Sequence, residues 1–214
     1  MDSFAQCLNY IATTGKGKSS VELLIPVISS LSGVVIGFGL TLIRDKSKTK
    51  KENANKVMCI EEDVDRIRRA AGHVFTEALR LIDLVRAKTL PKSHAMPGEI
   101  NSPYLDKHFV ETAHLFSLEQ RHNIVSLLPS IKDINADLKQ LSDPSVASNL
   151  DSIRRCCFNM ASLAVFCIER CDVFLDGAPE YKHDWISIAK RFDVQSEFIN
   201  ELLRQQTPIP QETM

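Results

Sequence analysis

The pattern of apolar and charged positions divides the chain into two parts. From Leu23 to Ile43 there are 21 consecutive residues without Asp, Glu, Lys or Arg. Beyond residue 56, apolar residues recur at alternating steps of three and four, the period of a helix that buries one face. The pattern therefore predicts a helix with no charged face, followed by several amphipathic helices.

The charge-free segment has the length of a membrane span. A 21-residue helix rises roughly 30 Å, about the thickness of the hydrocarbon layer of a bilayer. It is longer than the apolar core of a cleavable signal peptide. We therefore predict a retained single-pass transmembrane helix over residues 21–43. The alternative is a helix buried in a protein core.

Basic residues near the predicted span indicate its orientation. Lys16 and Lys18 precede it, whereas six basic residues follow it within 13 positions. This predicts the plasma (inner) membrane, with the N-terminus outside and the C-terminal part in the cytoplasm. The segment 44–56 also carries a net charge of +4, so its basic side chains are candidates for contact with anionic lipid. They are Arg44, Lys46, Lys48, Lys50, Lys51 and Lys56.

Small residues repeat every fourth position inside the predicted span. Ser29, Gly33, Gly37 and Thr41 share one helical face, on which a second helix can approach closely. This face predicts a homo-oligomer formed through the membrane helix. The alternative is the ordinary frequency of glycine in membrane helices.

The two ends of the chain give weaker patterns. Phe4, Cys7, Leu8 and Ile11 have helical spacing, which predicts a short amphipathic segment over residues 1–20 on the external surface of this membrane. The last eight residues, 207–214, are predicted to be a disordered tail.

The first body helix carries an unbroken stripe of apolar or small residues. Since the spacing follows a heptad, it is compatible with an intermolecular coiled coil as well as with an intramolecular bundle. The helix is predicted to end before Pro91, with a loop over 89–103. The stripe consists of Val57, Ile60, Val64, Ile67, Ala71, Val74, Ala78, Leu81 and Val85.

Two further stripes follow. A helical region begins near Tyr104, and Ser117 with Gln120 forms a predicted capping box ahead of the second stripe. Asp143 and Pro144 are predicted to stop that helix and Gly177 the next one. The second stripe is Ile124, Leu127, Ile131, Ile134, Leu138 and Leu141; the third is Val146, Leu150, Ile153, Cys157, Met160, Ala164, Cys167 and Cys171.

A last helix is predicted from Trp185 to Leu203, with a break near Asp193. No segment shows the alternation of a β-strand. The fold class is therefore all-α. We predict an antiparallel bundle of about four helices over residues 57–206, favoured over the intermolecular coiled coil because the stripes have similar length.

Charge and motif content argue against several kinds of activity. Residues 57–214 contain 18 basic and 23 acidic residues, a net charge of −5, so no nucleic-acid partner is expected. Glycine-rich phosphate loops, Gly-x-Ser-x-Gly and His-Glu-x-x-His are absent from the sequence. We expect no cofactor and no enzymatic activity.

Metal-ligand patterns are incomplete. Cys167 and Cys171 lie one helical turn apart, but no CxxC or histidine pair accompanies them. Glu111 and His114 have the Glu-x-x-His spacing of di-iron bundles, which requires two copies where this chain has one. We therefore expect no metal site, and we expect the cysteines to act as small apolar residues.

The sequence RRAAGH at 68–73 carries one catalytic resemblance. Arg68 and His73 have the Arg-x4-His spacing that is similar to the motif of HEPN-family ribonucleases, which are all-α bundles. The resemblance implies that Arg68 positions phosphate and His73 acts in RNA cleavage. A membrane-tethered ribonuclease is thus an alternative function.

The combined pattern predicts a non-enzymatic, membrane-anchored protein. Its helical bundle would bind a cytoplasmic protein partner or transmit a signal to the membrane. A second alternative is a membrane-disrupting effector of a bacterial defence or toxin system, in which the small-residue face assembles the anchors.

Overall fold

The computed structural model describes residues 6, 9, 20–177 and 182–206, with the backbone alone at 20–32 and 35. Within these residues the chain is all-helical, as predicted. The predicted tail 207–214 lies outside these residues, and so does the predicted amphipathic segment 1–20 apart from residues 6, 9 and 20. The helices are α1 (Ser20–Arg86), α2 (Pro103–Thr112), α3 (Leu118–Leu141), α4 (Pro144–Ala147), α5 (Leu150–Asp176), α6 (Trp185–Arg191) and α7 (Glu197–Gln206), with a 3-10 turn at Ala113–Leu115.

Helix α1 contributes to two structural units. The chain divides into a unit that ends at Ala54 and a second unit that begins at Asn55. In the second unit the predicted stripe of α1 is confirmed, because its members from Ile60 to Val85 are all buried, and Val57 packs against them. The stripe is buried within the chain, which is the arrangement of an intramolecular bundle.

Helices α3 and α5 of the second unit run in opposite directions. Asn123 near the start of α3 accepts a hydrogen bond from Arg170 late in α5, at 2.9 Å. Asp137 near the end of α3 accepts one from Asn159 early in α5, at 2.5 Å. Later residues of α3 thus contact earlier residues of α5, so the two helices are antiparallel.

Helix α2 runs antiparallel to α1 along its first turns in the bundle. Lys56 pairs with Glu111 at the end of α2, with Nζ and Oε2 2.7 Å apart. Asp63 meets the beginning of α2, where its Oδ2 accepts the N–H of Tyr104 at 2.7 Å. The end of the second unit where the chain enters at Asn55 therefore also holds the end of α2.

The helix boundaries agree with most predictions. Ser117 and Gln120 form the predicted capping box, with both hydrogen bonds in place. Gly177 ends α5 with φ of +64°, a left-handed conformation that glycine adopts without strain. The predicted break near Asp193 separates α6 from α7.

One boundary prediction was wrong. The third stripe does not lie on one helix, because α4 ends at Ala147 and α5 begins at Leu150. Asn149 separates them: its side chain accepts the N–H groups of Asp151 and Ser152 and so caps α5. Pro129 lies inside a continuous α3.

The predicted transmembrane helix receives no support from the described side chains. Among them, no helix has an apolar stretch long enough to cross a membrane. Residues 21–32 and Val35 of the predicted span lie outside the described side chains, although their backbone is helical.

Candidate functional site

The most unusual surface of the described residues is the apolar stretch of α1 in the first unit. Successive helical residues point about 100° apart, so exposure at nearby positions means that apolar groups face several directions. A helix of this kind is ordinarily covered by lipid or protein. Its exposed fractions are 72% for Val34, 61% for Ile36, 67% for Phe38, 62% for Leu40, 48% for Leu42 and 67% for Ile43.

The small-residue face is open on this stretch. A Cβ built at Gly33 or at Gly37 meets no atom within 4 Å. Thr41 is exposed, and its hydroxyl donates to the Gly37 carbonyl at 2.9 Å, so its polarity is satisfied within the helix. The fourth predicted member, Ser29, lies outside the described side chains.

The predicted basic segment separates into two environments. The first five of its basic residues, from Arg44 to Lys51, are exposed. Lys48 lies 3.8 Å from Glu52, a solvent-exposed pair that contributes little to stability. Lys56 is instead held by Glu111 of α2, so its ammonium group belongs to the bundle. The described basic surface before the bundle is therefore Arg44, Lys46, Lys48, Lys50 and Lys51.

The guanidinium of Arg68 is bound by three carboxylates. Its guanidinium donates to Asp65 at 2.5 Å, to Asp172 at 3.3 Å and to Asp176 at 2.9 Å. Burial opposes its charge, but the hydrogen bonds to Asp65 and Asp172 outweigh this and raise the pKa of Arg68. Arg68 thus ties α1 to α5, and a phosphate would have to displace these carboxylates.

His73 has a different set of neighbours. Its Nε2 lies 3.0 Å from the carbonyl oxygen of Ala95, to which the ring donates in its Nε2–H form. Nearby, Glu77 accepts the N–H of Ala95 at 2.7 Å, and Arg80 donates to the Ser93 carbonyl at 3.1 Å. His73 therefore helps to hold the 87–102 loop, and the structure does not bring it and Arg68 to a shared partner.

Four of the five described cysteines have the environment of core residues, whereas Cys59 is half-buried. Cys156, Cys157, Cys167 and Cys171 are buried, and burial raises the pKa of Cys157 and of Cys167 to about 12. Such thiols are poor nucleophiles at neutral pH. Within the described chain no group of His, Cys, Asp or Glu side chains is arranged to hold a metal ion.

Sequence reasoning missed two key packing residues. Asp63 is fully buried on the inner face of α1, and its helical spacing from the buried Ile60 is the sequence signal that marks this position. Gly72 packs against the Phe192 ring so closely that an added Cβ would lie 2.3 Å from its Cε1. That contact joins α1 to the residue that follows α6, and no local spacing reveals it.

No family model, curated protein or solved structure gives a significant match to this chain.

Proposed function

We propose that this chain is a single-pass membrane protein whose helical bundle serves as a non-enzymatic interaction or signal-transmitting module. The observation that carries the proposal is the exposure of Val34, Ile36, Phe38 and Leu40 on one continuous helix. Water is a poor solvent for such a surface, whereas lipid tails solvate it well. With the charge-free residues that precede it, this stretch completes a span from Leu23 to Ile43.

The charge distribution supports one orientation. The exposed basic residues from Arg44 to Lys51 directly follow the apolar stretch, which favours a cytoplasmic bundle and an external N-terminus. These side chains also have the exposure that contact with anionic headgroups requires.

Self-association through the anchor is part of the proposal. The open space beside Gly33 and Gly37 supports it, because a second helix needs that space for close packing. In this view the anchors pair in the membrane and the paired bundles bind a cytoplasmic protein.

The ribonuclease alternative gains no support from the bundle. Arg68 is neutralised by Asp65, Asp172 and Asp176, and His73 holds a backbone carbonyl. The surface around Arg68 is therefore more suited to bracing helices than to binding an RNA phosphate.

Membrane anchoring is tested by carbonate extraction of the full chain. The protein should stay in the membrane pellet, and a chain with Val34→Lys and Phe38→Lys should be released. A matched variant with Lys46→Gln and Lys48→Gln should stay in the pellet. Release of the unmodified chain would overturn the proposal.

Orientation is tested by thiol labelling of intact spheroplasts with a membrane-impermeant maleimide. Labelling should disappear with Cys7→Ser, and an added cysteine in Lys51→Cys should react only after permeabilisation. The chains carry Cys59→Ser, because Cys59 is half-buried, and the four buried cysteines should contribute little background. Labelling of Lys51→Cys in intact cells would show the opposite orientation.

A further inference from the structure

The corner between α2 and α3 exposes a second apolar surface, here called the corner patch. It consists of Val110, Leu115 and Leu118, with exposed fractions of 85%, 45% and 76%. These residues lie within nine positions of one another: Val110 precedes the 3-10 turn Ala113–Leu115, Leu115 ends it and Leu118 follows it. Beneath them Phe109 and Phe116 pack against the core, with ring centroids 6.2 Å apart. The corner is therefore anchored inside while its outer residues face solvent.

The corner patch lies at the end of the bundle where the chain enters. Glu111, next to Val110, binds Lys56, which is the second residue of the bundle unit. Only 12 residues separate Lys56 from Ile43, the last residue of the proposed span. A helical connection of that length extends about 20 Å and an extended one about twice as far. The tether thus keeps the patch within reach of the membrane surface.

The polar residues around the patch also fit a lipid headgroup layer. Lys107 and His114 are exposed and lie one helical turn on either side of Val110. Glu111 is neutralised by Lys56, whereas Glu119 beside Leu118 is exposed and acidic. Apolar contact rather than charge would therefore supply most of the attraction, with Lys107 placed to reach phosphate groups.

We propose that the corner patch inserts shallowly into the membrane surface and so docks the bundle against the bilayer. The inference rests on the proposed membrane anchor. It adds a second, interfacial contact that would fix how the bundle is presented to its partner. A second copy of the chain is the competing occupant of the same surface.

The test places a tryptophan in the patch of the full chain, reconstituted into phosphatidylcholine vesicles with or without brominated acyl chains. Leu118→Trp and Val110→Trp report from the patch. Leu90→Trp is the matched control, because Leu90 is 46% exposed and follows α1 at the opposite end of the bundle. The unmodified chain supplies the background of Trp185.

Bromine on the acyl chains close to the headgroups should quench the tryptophan fluorescence of Leu118→Trp and of Val110→Trp at least twofold more than that of Leu90→Trp. Equal quenching of all three, in protein that resists carbonate extraction, would overturn the docking while leaving the anchor intact. Tryptophan emission that changes with the protein-to-lipid ratio and not with bromine would overturn the membrane docking and would indicate that a second copy of the chain covers the patch. Loss of the protein from the vesicles would overturn both proposals.

Discussion

The carboxylate of Asp63 accepts the backbone N–H of Leu105 at 3.0 Å, although 42 positions separate these two residues in the chain. The same Oδ2 accepts the N–H of Tyr104, and Oδ1 is paired with Arg66. Ser102, which precedes α2, makes no side-chain cap of its own. The cap of α2 is therefore supplied by α1.

Removal of this carboxylate should destabilise the bundle strongly. Asp63→Ala leaves two N–H groups of α2 without a partner in the interior, which costs about 2–4 kcal/mol. Asp63→Asn retains one acceptor oxygen and should lose less. Urea unfolding in detergent micelles, followed by circular dichroism, measures both losses. Asp106→Ala on the same helix is the control, and an equal loss there would contradict the capping role.

The contact between Gly72 and Phe192 predicts that substitutions at these two positions have coupled effects on stability. Gly72→Ala should destabilise the protein by about 1–3 kcal/mol, because the new methyl group overlaps the ring. In a Phe192→Leu background the same change should cost clearly less, since the colliding atom is gone. A double-mutant cycle of unfolding free energies measures this coupling.

The control for that cycle is Gly98→Ala. A Cβ at Gly98 meets no atom within 4 Å, so the change should alter stability by less than about 0.5 kcal/mol. Additive effects of Gly72→Ala and Phe192→Leu would show that the ring moves aside freely.

The ionisation of Glu77 makes the stability of the bundle depend on pH. Burial alone would raise its pKa, but hydrogen bonds from Arg80 and from the N–H of Ala95 outweigh burial and lower it below the usual 4.5. The stabilisation from ionised Glu77 is therefore complete above pH 4.5 and is lost as the pH falls through the folded-state value.

Glu77→Gln isolates the charge, because the amide oxygen can still accept the N–H of Ala95. The unfolding free energy of this variant should fall less steeply than that of the unmodified chain as the pH decreases below about 4.5. Parallel curves for the two proteins would exclude Glu77 as the responsible group.

The small-residue face predicts which glycines matter for association. Gly33→Leu and Gly37→Leu should weaken dimers in micelles at least tenfold by sedimentation equilibrium, because bulk at these positions separates the helices. Gly39→Leu is a matched control: its surroundings are equally open, but it points about 200° away from Gly37. Equal weakening by all three would show that helix packing is not specific to this face.

Periodicity was sufficient to predict part of the apolar core, but Phe75, Leu79 and Ile82 of α1 are also fully buried and lie off the predicted stripe. Ile60, Ile67, Ile124 and Leu138 repeat at helical steps, and each is buried where its stripe placed it. Local rules also located the capping box and the break near Asp193, since both depend on neighbouring residues.

The contacts between distant segments could not be predicted in this way. Asn135 exchanges two hydrogen bonds with the backbone of Ile100, at 2.8 and 2.9 Å, across 35 positions. The carboxylates around Arg68 likewise come from two helices. Spacing along a single helix contains no information about such partners, so the sequence does not show that the Arg68 guanidinium is paired.

The caps that α1 provides imply an order of assembly during synthesis. Asp83, on the same helix as Asp63, accepts the N–H groups of Glu197 and Phe198 at the start of α7, each at 3.0 Å. Both acceptors are translated before the helices that they cap. The ribosome thus releases both acceptors before the N–H groups that they bind, and the cap of α2 can form before that of α7.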